Sequence, residues 1–146
     1  MTRCYYRSIL LCLAFALWQH AVSAKEAIVV VVNSANPIEQ MTRSEVIDLF
    51  MGKYVAFPDG EKAVPVDLDG EQPIKQQFYH QLVGRSLASI NAYWSRLRFT
   101  GRVKPSIQKN TEQQVVQYIT NNNDAIGYIP ISKLTKQLKV VYQLNE

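Results

Sequence analysis

Short apolar runs alternate along the chain with segments in which apolar residues recur every three or four positions. Ile28–Val32 is an unbroken β-branched run, the pattern of a strand buried on both faces. Ala63–Leu68, Ala125–Pro130 and Leu138–Leu144 read as further strands, and Pro105–Gln108 as a short extended piece. Pro65 marks its strand as an edge, because proline has no N–H to give a ladder. Helical patterns lie between these runs. Thr42-x-x-Glu45 is a capping box, followed by Val46, Leu49 and Phe50 on one face and by Gly52 as a left-handed end. Ile74, Phe78 and Leu82 recur every four residues behind Pro73, which a first helical turn tolerates. Ser86 caps a helix carrying Leu87, Ile90, Tyr93, Trp94 and Leu97. Asn110 or Thr111 starts another, running through about Ile119 and stopped by Asn121–Asp124, whose side chains compete for backbone hydrogen bonds. Ser132–Gln137 adds one or two helical turns.

This order predicts an α/β fold, a mostly parallel or mixed sheet with helices on both faces. In open sheets of this kind ligands bind outside the carboxyl ends of the strands. The loops Asn33–Asn36 and Asp69–Gln72 are therefore the candidate binding loops, with Asn33 and Ser34 in the first.

The beginning of the chain changes the composition that matters. Residues 1–8 are short and basic, Ile9–Trp18 is apolar, and Val22-Ser23-Ala24 ends the segment with small residues at its first and last places. That is the three-part pattern of a secretory signal peptide cut after Ala24, and the apolar run is short for a membrane span. Residues 25–146 then form a single domain, expected in the periplasm. The segment takes Arg3 and Arg7 with it, leaving 14 basic against 12 acidic residues, a net of +2. Cys4 and Cys12 also lie in it, so the exported chain has neither a thiol nor a disulfide and must rest on its core. Thiol catalysis and zinc–thiolate sites are excluded.

The rest of the chain is poor in catalytic patterns. His80 is the one histidine after residue 24, set on the flank of its helix with no placed base or nucleophile, and reads as a surface or half-buried residue. There is no P-loop, dinucleotide fingerprint or Ser–His–Asp pattern, so neither a cofactor nor enzymatic activity is expected. Asp67, Asp69 and Glu71 alternate, but an EF-hand register would put Pro65 first and Gln76 at the closing position, so no metal site follows. Arg85, Arg96, Arg98, Arg102 and Lys104, interleaved with Tyr93, Trp94 and Phe99, form the basic-aromatic mixture that can bind single-stranded nucleic acid. Export argues against that partner. Tyr93, Trp94 and Leu97 read as core-facing, with the arginines as solvated neighbours; the alternative reading is a surface for a partner protein or anionic lipid.

Several segments together carry a family resemblance: VVVVNSANPI, MTRSEVIDLFMGK, FTGRVKP and EQQVVQYITNNNDAIGYIP, spanning roughly Ile28–Pro130. The chain resembles the phosphate-binding protein of the phosphate ABC transporter, a branch of the type 2 periplasmic binding proteins. The resemblance implies one lobe of a two-lobed fold, with the strand Ile28–Val32 coming where most of a first lobe would precede it. It also implies a non-catalytic role in phosphate or oxyanion uptake or sensing. In the family an Arg followed by Ser-Gly-Thr at a helix start holds the anion through amides, hydroxyls and a bidentate guanidinium. The matching stretch here is Val66-Asp67-Leu68-Asp69-Gly70-Glu71-Gln72-Pro73, in which only the glycine is kept.

Two readings of this stretch stand side by side. In one, the amides of Gly70 and Gln72, the Gln72 side chain and Lys75 hold phosphate or another small oxyanion, and a homodimer or a partner's surface closes the half-site. In the other, Asp69 and Glu71 stabilise a helix start through its dipole in a solvated turn. The chain is then a ligand-free interaction module that docks on a membrane transporter or sensor.

Overall fold

The computed structural model describes residues 26–101 and 104–144. The signal-peptide assignment, Arg102 and Val103 lie outside the described residues. Five strands and four α-helices follow one another as β1 (Ile28–Asn33), α1 (Arg43–Phe50), β2 (Val64–Leu68), α2 (Pro73–Val83), α3 (Leu87–Phe99), β3 (Ile107–Lys109), α4 (Glu112–Asn121), β4 (Ala125–Pro130) and β5 (Leu138–Gln143). A single 3₁₀ turn, Ile131–Lys133, stands where one or two helical turns were expected. Among the described residues no helix is long and apolar enough to cross a membrane.

The strands make one sheet in the order β3-β2-β4-β1-β5. It is mixed. β2 runs parallel to β3 and β4, whereas β1 runs antiparallel to β4 and β5. All six residues of β1 are buried although both its ladders are antiparallel. The continuous valine run therefore reports helices on both faces, not strand direction. A bulge between Val30 and Val31 lets β5 carry one extra residue, Val141.

α4 covers one face of the sheet, and α1 and α2 cover the other. The alternation along β4 shows how. A Cβ placed on Gly127 would come within 2.8 Å of Ile119 Cδ1 and 3.0 Å of Val115 Cγ1, both on α4. The next residue, Tyr128, points the opposite way and stacks on Phe78 of α2 with ring centroids 3.8 Å apart. Phe50 of α1 meets Phe78 edge-on at 4.9 Å. This aromatic cluster and the β-branched strands make one core.

The local signals decide where the helices start and stop. Thr42 Oγ1 accepts from the Glu45 amide, and the Glu45 carboxylate accepts from the Thr42 amide at 2.7 Å, closing the capping box. Thr111, not Asn110, caps α4, and the Gln114 side chain reaches back to accept from the Asn110 amide at 3.0 Å. Gly84 ends α2 in the left-handed conformation at φ 73. Pro65 sits within β2, which is internal to the sheet, and β3 begins only opposite Val66, so no strand flanks Pro65 on that side. The edge character read from proline holds for that part of β2 alone.

Gly127→Val, by forcing methyl groups between β4 and α4, is expected to lower stability by about 1–3 kcal/mol. Denaturant unfolding of the purified protein measures it, with an unchanged slope showing that the fold is kept.

Candidate functional site

β2 brings its carboxyl end between α2 and α3, where Asp67, Asp69, Glu71, Lys75, Trp94 and Arg98 line a cleft of about 320 Å³. At its base lies a buried charged cluster. The Asp67 side chain is 4% exposed and that of Lys75 is 9% exposed, with Nζ 3.1 Å from Asp67 Oδ2. Lys75 Nζ also donates to the Leu68 carbonyl at 2.6 Å. Tyr79 Oη donates to Asp67 Oδ2 at 2.9 Å, and Tyr128 Oη to Asp67 Oδ1 at 2.6 Å. The Leu68 amide completes the set, donating to Oδ1 at 2.8 Å. Oδ1 thus accepts two hydrogen bonds, and Oδ2 accepts one and faces the Lys75 ammonium, which is what makes a buried carboxylate tolerable.

Helical spacing explains half of this arrangement. Lys75 and Tyr79 are four residues apart on α2 and share the face turned to β2. Tyr128 comes from β4, beside β2 in the sheet. The phenols of Tyr79 and Tyr128 are held well above the usual phenol range, first by burial and then by the charge and hydrogen bond of Asp67.

Above this cluster the loop is fastened by its own side chains. Asp69 Oδ1 accepts from the Gly70 amide at 2.9 Å, and the Asp69 amide donates to the Lys109 carbonyl at 2.8 Å. Gln72 Nε2 donates to the carbonyls of Asp69 at 2.8 Å and Asn110 at 3.1 Å, tying the start of α2 to the end of β3. Gly70 takes a left-handed φ of 70, so a side chain there would strain the turn. Asp69, Gly70 and Glu71 are exposed, and Gln72 is half-buried. Three groups expected to face an anion, the Gly70 amide, the Gln72 side chain and the Lys75 ammonium, therefore already donate to the chain itself.

Asn33 and Ser34 are not brought to this place. β1 runs against β2, so its carboxyl end lies at the opposite end of the sheet, about five residues or roughly 17 Å along the strands. That direction places the candidate loops Asn33–Asn36 and Asp69–Gln72 at opposite ends of the sheet. Asn33 is buried, donating through Nδ2 to the carbonyls of Ile119 at 3.1 Å and Thr120 at 2.8 Å, while its Oδ1 accepts from the Ala35 amide at 2.9 Å. It fastens the end of α4 to the end of β1. The Ser34 amide donates to the Gln137 carbonyl at 2.9 Å. His80 is exposed on α2. Trp94 is buried, Tyr93 and Leu97 are half-buried, and Phe99 stands 97% exposed.

A phosphate transport receptor from Vibrio cholerae superposes over 80% of this chain and 45% of its own, with a TM-score of 0.64 and 18% identity. The chain has the fold of one lobe of a periplasmic binding protein. A putative phosphate transporter substrate-binding protein from Clostridium perfringens, solved with bound phosphate, gives 0.64 at 16% identity over 80% of this chain and 44% of its own. PstS from Borrelia burgdorferi gives 0.61 at 12% identity, over 80% of this chain and 46% of its own. The chain thus spans under half the length of these receptors. No family model and no curated protein matches the sequence.

The buried cluster is not among the sequence expectations, in which Asp67 is one of three alternating acids. Its signal was present: an aspartate between Val66 and Leu68 in an otherwise apolar strand needs buried partners. Which residues supply them depends on how β4 and α2 pack.

Removing one member of the Asp67–Lys75 pair leaves the other charged and unpaired. Asp67→Asn is expected to cost about 3–5 kcal/mol, and Asp67→Leu combined with Lys75→Met less than the sum of the two single changes. A double-mutant cycle by denaturant unfolding measures both. The raised phenols give a second outcome with a definite sign. Above about pH 10 the unfolded chain loses these protons while the folded chain keeps them, so stability falls as pH rises. Tyr79→Phe is expected to flatten that alkaline fall, read from unfolding midpoints between pH 8 and pH 11.

Proposed function

We propose that this protein is a non-catalytic, solute-binding-protein-like module of the periplasm, released by cleavage after Ala24. It serves phosphate or oxyanion uptake or sensing by docking on a membrane transporter or sensor protein, not by carrying the anion itself. Fold likeness to phosphate receptors supports the setting. One observation carries the rest: the Asp67 carboxylate takes the buried donors at the end of β2, namely the Lys75 ammonium, two phenols and an amide. An anion arriving there would have to displace a carboxylate that already satisfies them. It would also approach Asp69 and Glu71, each repelling it by about 1 kcal/mol in water and about 4 kcal/mol at a half-buried contact. Gln72, the remaining side-chain donor of the loop, is held by the carbonyls of Asp69 and Asn110.

Calorimetric titration of phosphate into the purified, folded protein, with sulfate as control, tests this reading. Neither anion is expected to give saturable heat. Selective, saturable heat with phosphate would replace the docking role by direct anion binding, and loss of that heat in a Lys75→Met variant shown to remain folded would locate it.

A further inference from the structure

Toward the start of β2, beside the acidic cleft with which it shares Pro105, lies an apolar groove of about 580 Å³. Its floor is Val64 and Pro65 of β2 with Ile107 of β3, and one wall is Val55, which is 67% exposed. The groove follows from the short length of β3. That strand starts opposite Val66, leaving Val64 and Pro65 paired to β4 on one side and without a strand on the other.

The backbone here cannot receive an added strand. The Ala63 amide already donates to the Val55 carbonyl at 2.9 Å, and the Val64 amide to the Asp124 carbonyl at 2.8 Å. Pro65 and Pro105, the next lining residues, have no N–H. An extended peptide is held to a sheet edge by alternating main-chain donors and acceptors, and this stretch supplies no free donor. What it does offer is apolar surface with two ammonium groups, Lys62 and Lys104, among the lining residues. Lys62 Nζ pairs with Asp124 Oδ2 at 2.9 Å and is 73% exposed. Lys104 is exposed, and among the described residues no carboxylate lies within 4.0 Å of it. The two cations against the single carboxylate of Asp124 leave the groove with a positive excess.

From this combination we infer that the groove is a binding site for a free, single-chain anionic amphiphile of the fatty-acid class. The acyl chain lies along Val64, Pro65 and Ile107, and the head group meets Lys104. The volume falls in the range of small-molecule sites, and burial of methylene groups supplies the affinity while the lysine sets the sign of the head group.

The test is a titration of dodecanoate, kept below its micelle concentration, into the purified protein, followed by calorimetry and by amide chemical shifts. Dodecyltrimethylammonium, with the same chain and the opposite charge, is the comparison. Saturable one-to-one binding of dodecanoate is expected, with shifts at Val55, Val64 and Ile107, and with the cationic amphiphile about tenfold weaker. Val55→Asp and Lys104→Glu replace exposed side chains, so both variants should melt like the parent, and each should weaken dodecanoate binding about tenfold. Absence of saturation, equal binding of the cationic amphiphile, or affinity indifferent to either substitution overturns the assignment. None of these outcomes depends on the phosphate titration, because the groove shares no group with the Asp67 cluster.

Discussion

A carboxylate buried among helices and strands must find its hydrogen bonds inside the protein, and Asp67 finds them on three different elements. Lys75 and Tyr79 reach it from α2, Tyr128 from β4, and the Leu68 amide from its own strand. Moving any of these elements would leave a buried charge or phenol without a partner. Such a loss costs more than a buried ion pair contributes when intact. The cluster therefore acts mainly as a constraint on geometry. It sets α2 against the sheet at one height and one rotation, and the same rotation stacks Phe78 on Tyr128 and turns Phe50 toward both.

That constraint also shapes the acidic cleft. An α/β lobe with a helix starting after a strand commonly offers anions a ring of free donors at that place. Here the Lys75 ammonium, two phenols and the Leu68 amide converge on an internal carboxylate instead. The loop above is closed by Asp69 on the Gly70 amide and by Gln72 on two carbonyls, so its polar groups stabilise the turn they belong to. The exposed charges left at the mouth are of both signs, Asp69 and Glu71 against Arg98. A lobe of this kind keeps the architecture of a solute receptor while its chemistry faces inward.

The direction of β1 has an equally large effect. Because it runs against β2, the two loops that a parallel sheet would gather at one end are separated along the sheet. Asn33 then serves α4, donating to the Thr120 carbonyl and to that of Ile119, which also accepts from the Asn122 amide. An asparagine at a strand end looks the same in sequence whether it binds a ligand or closes a helix. Only the neighbour it meets distinguishes the two.

Local chemistry was legible in the sequence wherever the deciding atoms lie within a few residues of one another. The Thr42–Glu45 capping box, the Ser86 cap, the glycine end of α1 and the buried valine strand all follow from steric and hydrogen-bonding rules of short range. So does the α/β alternation that they build. What the sequence left open needed residues far apart in the chain. Tyr128 is 61 positions from Asp67, and Asn33 is 86 positions from Ile119. Strand direction, the partners of a buried charge and the groove left by a short β3 are set by packing, in which burial on both faces is compatible with either direction. The residues in the candidate loops could be read from sequence. Whether their donors were free or already engaged was decided only by tertiary structure, because a hydrogen bond is made with whatever the fold brings within about 3 Å.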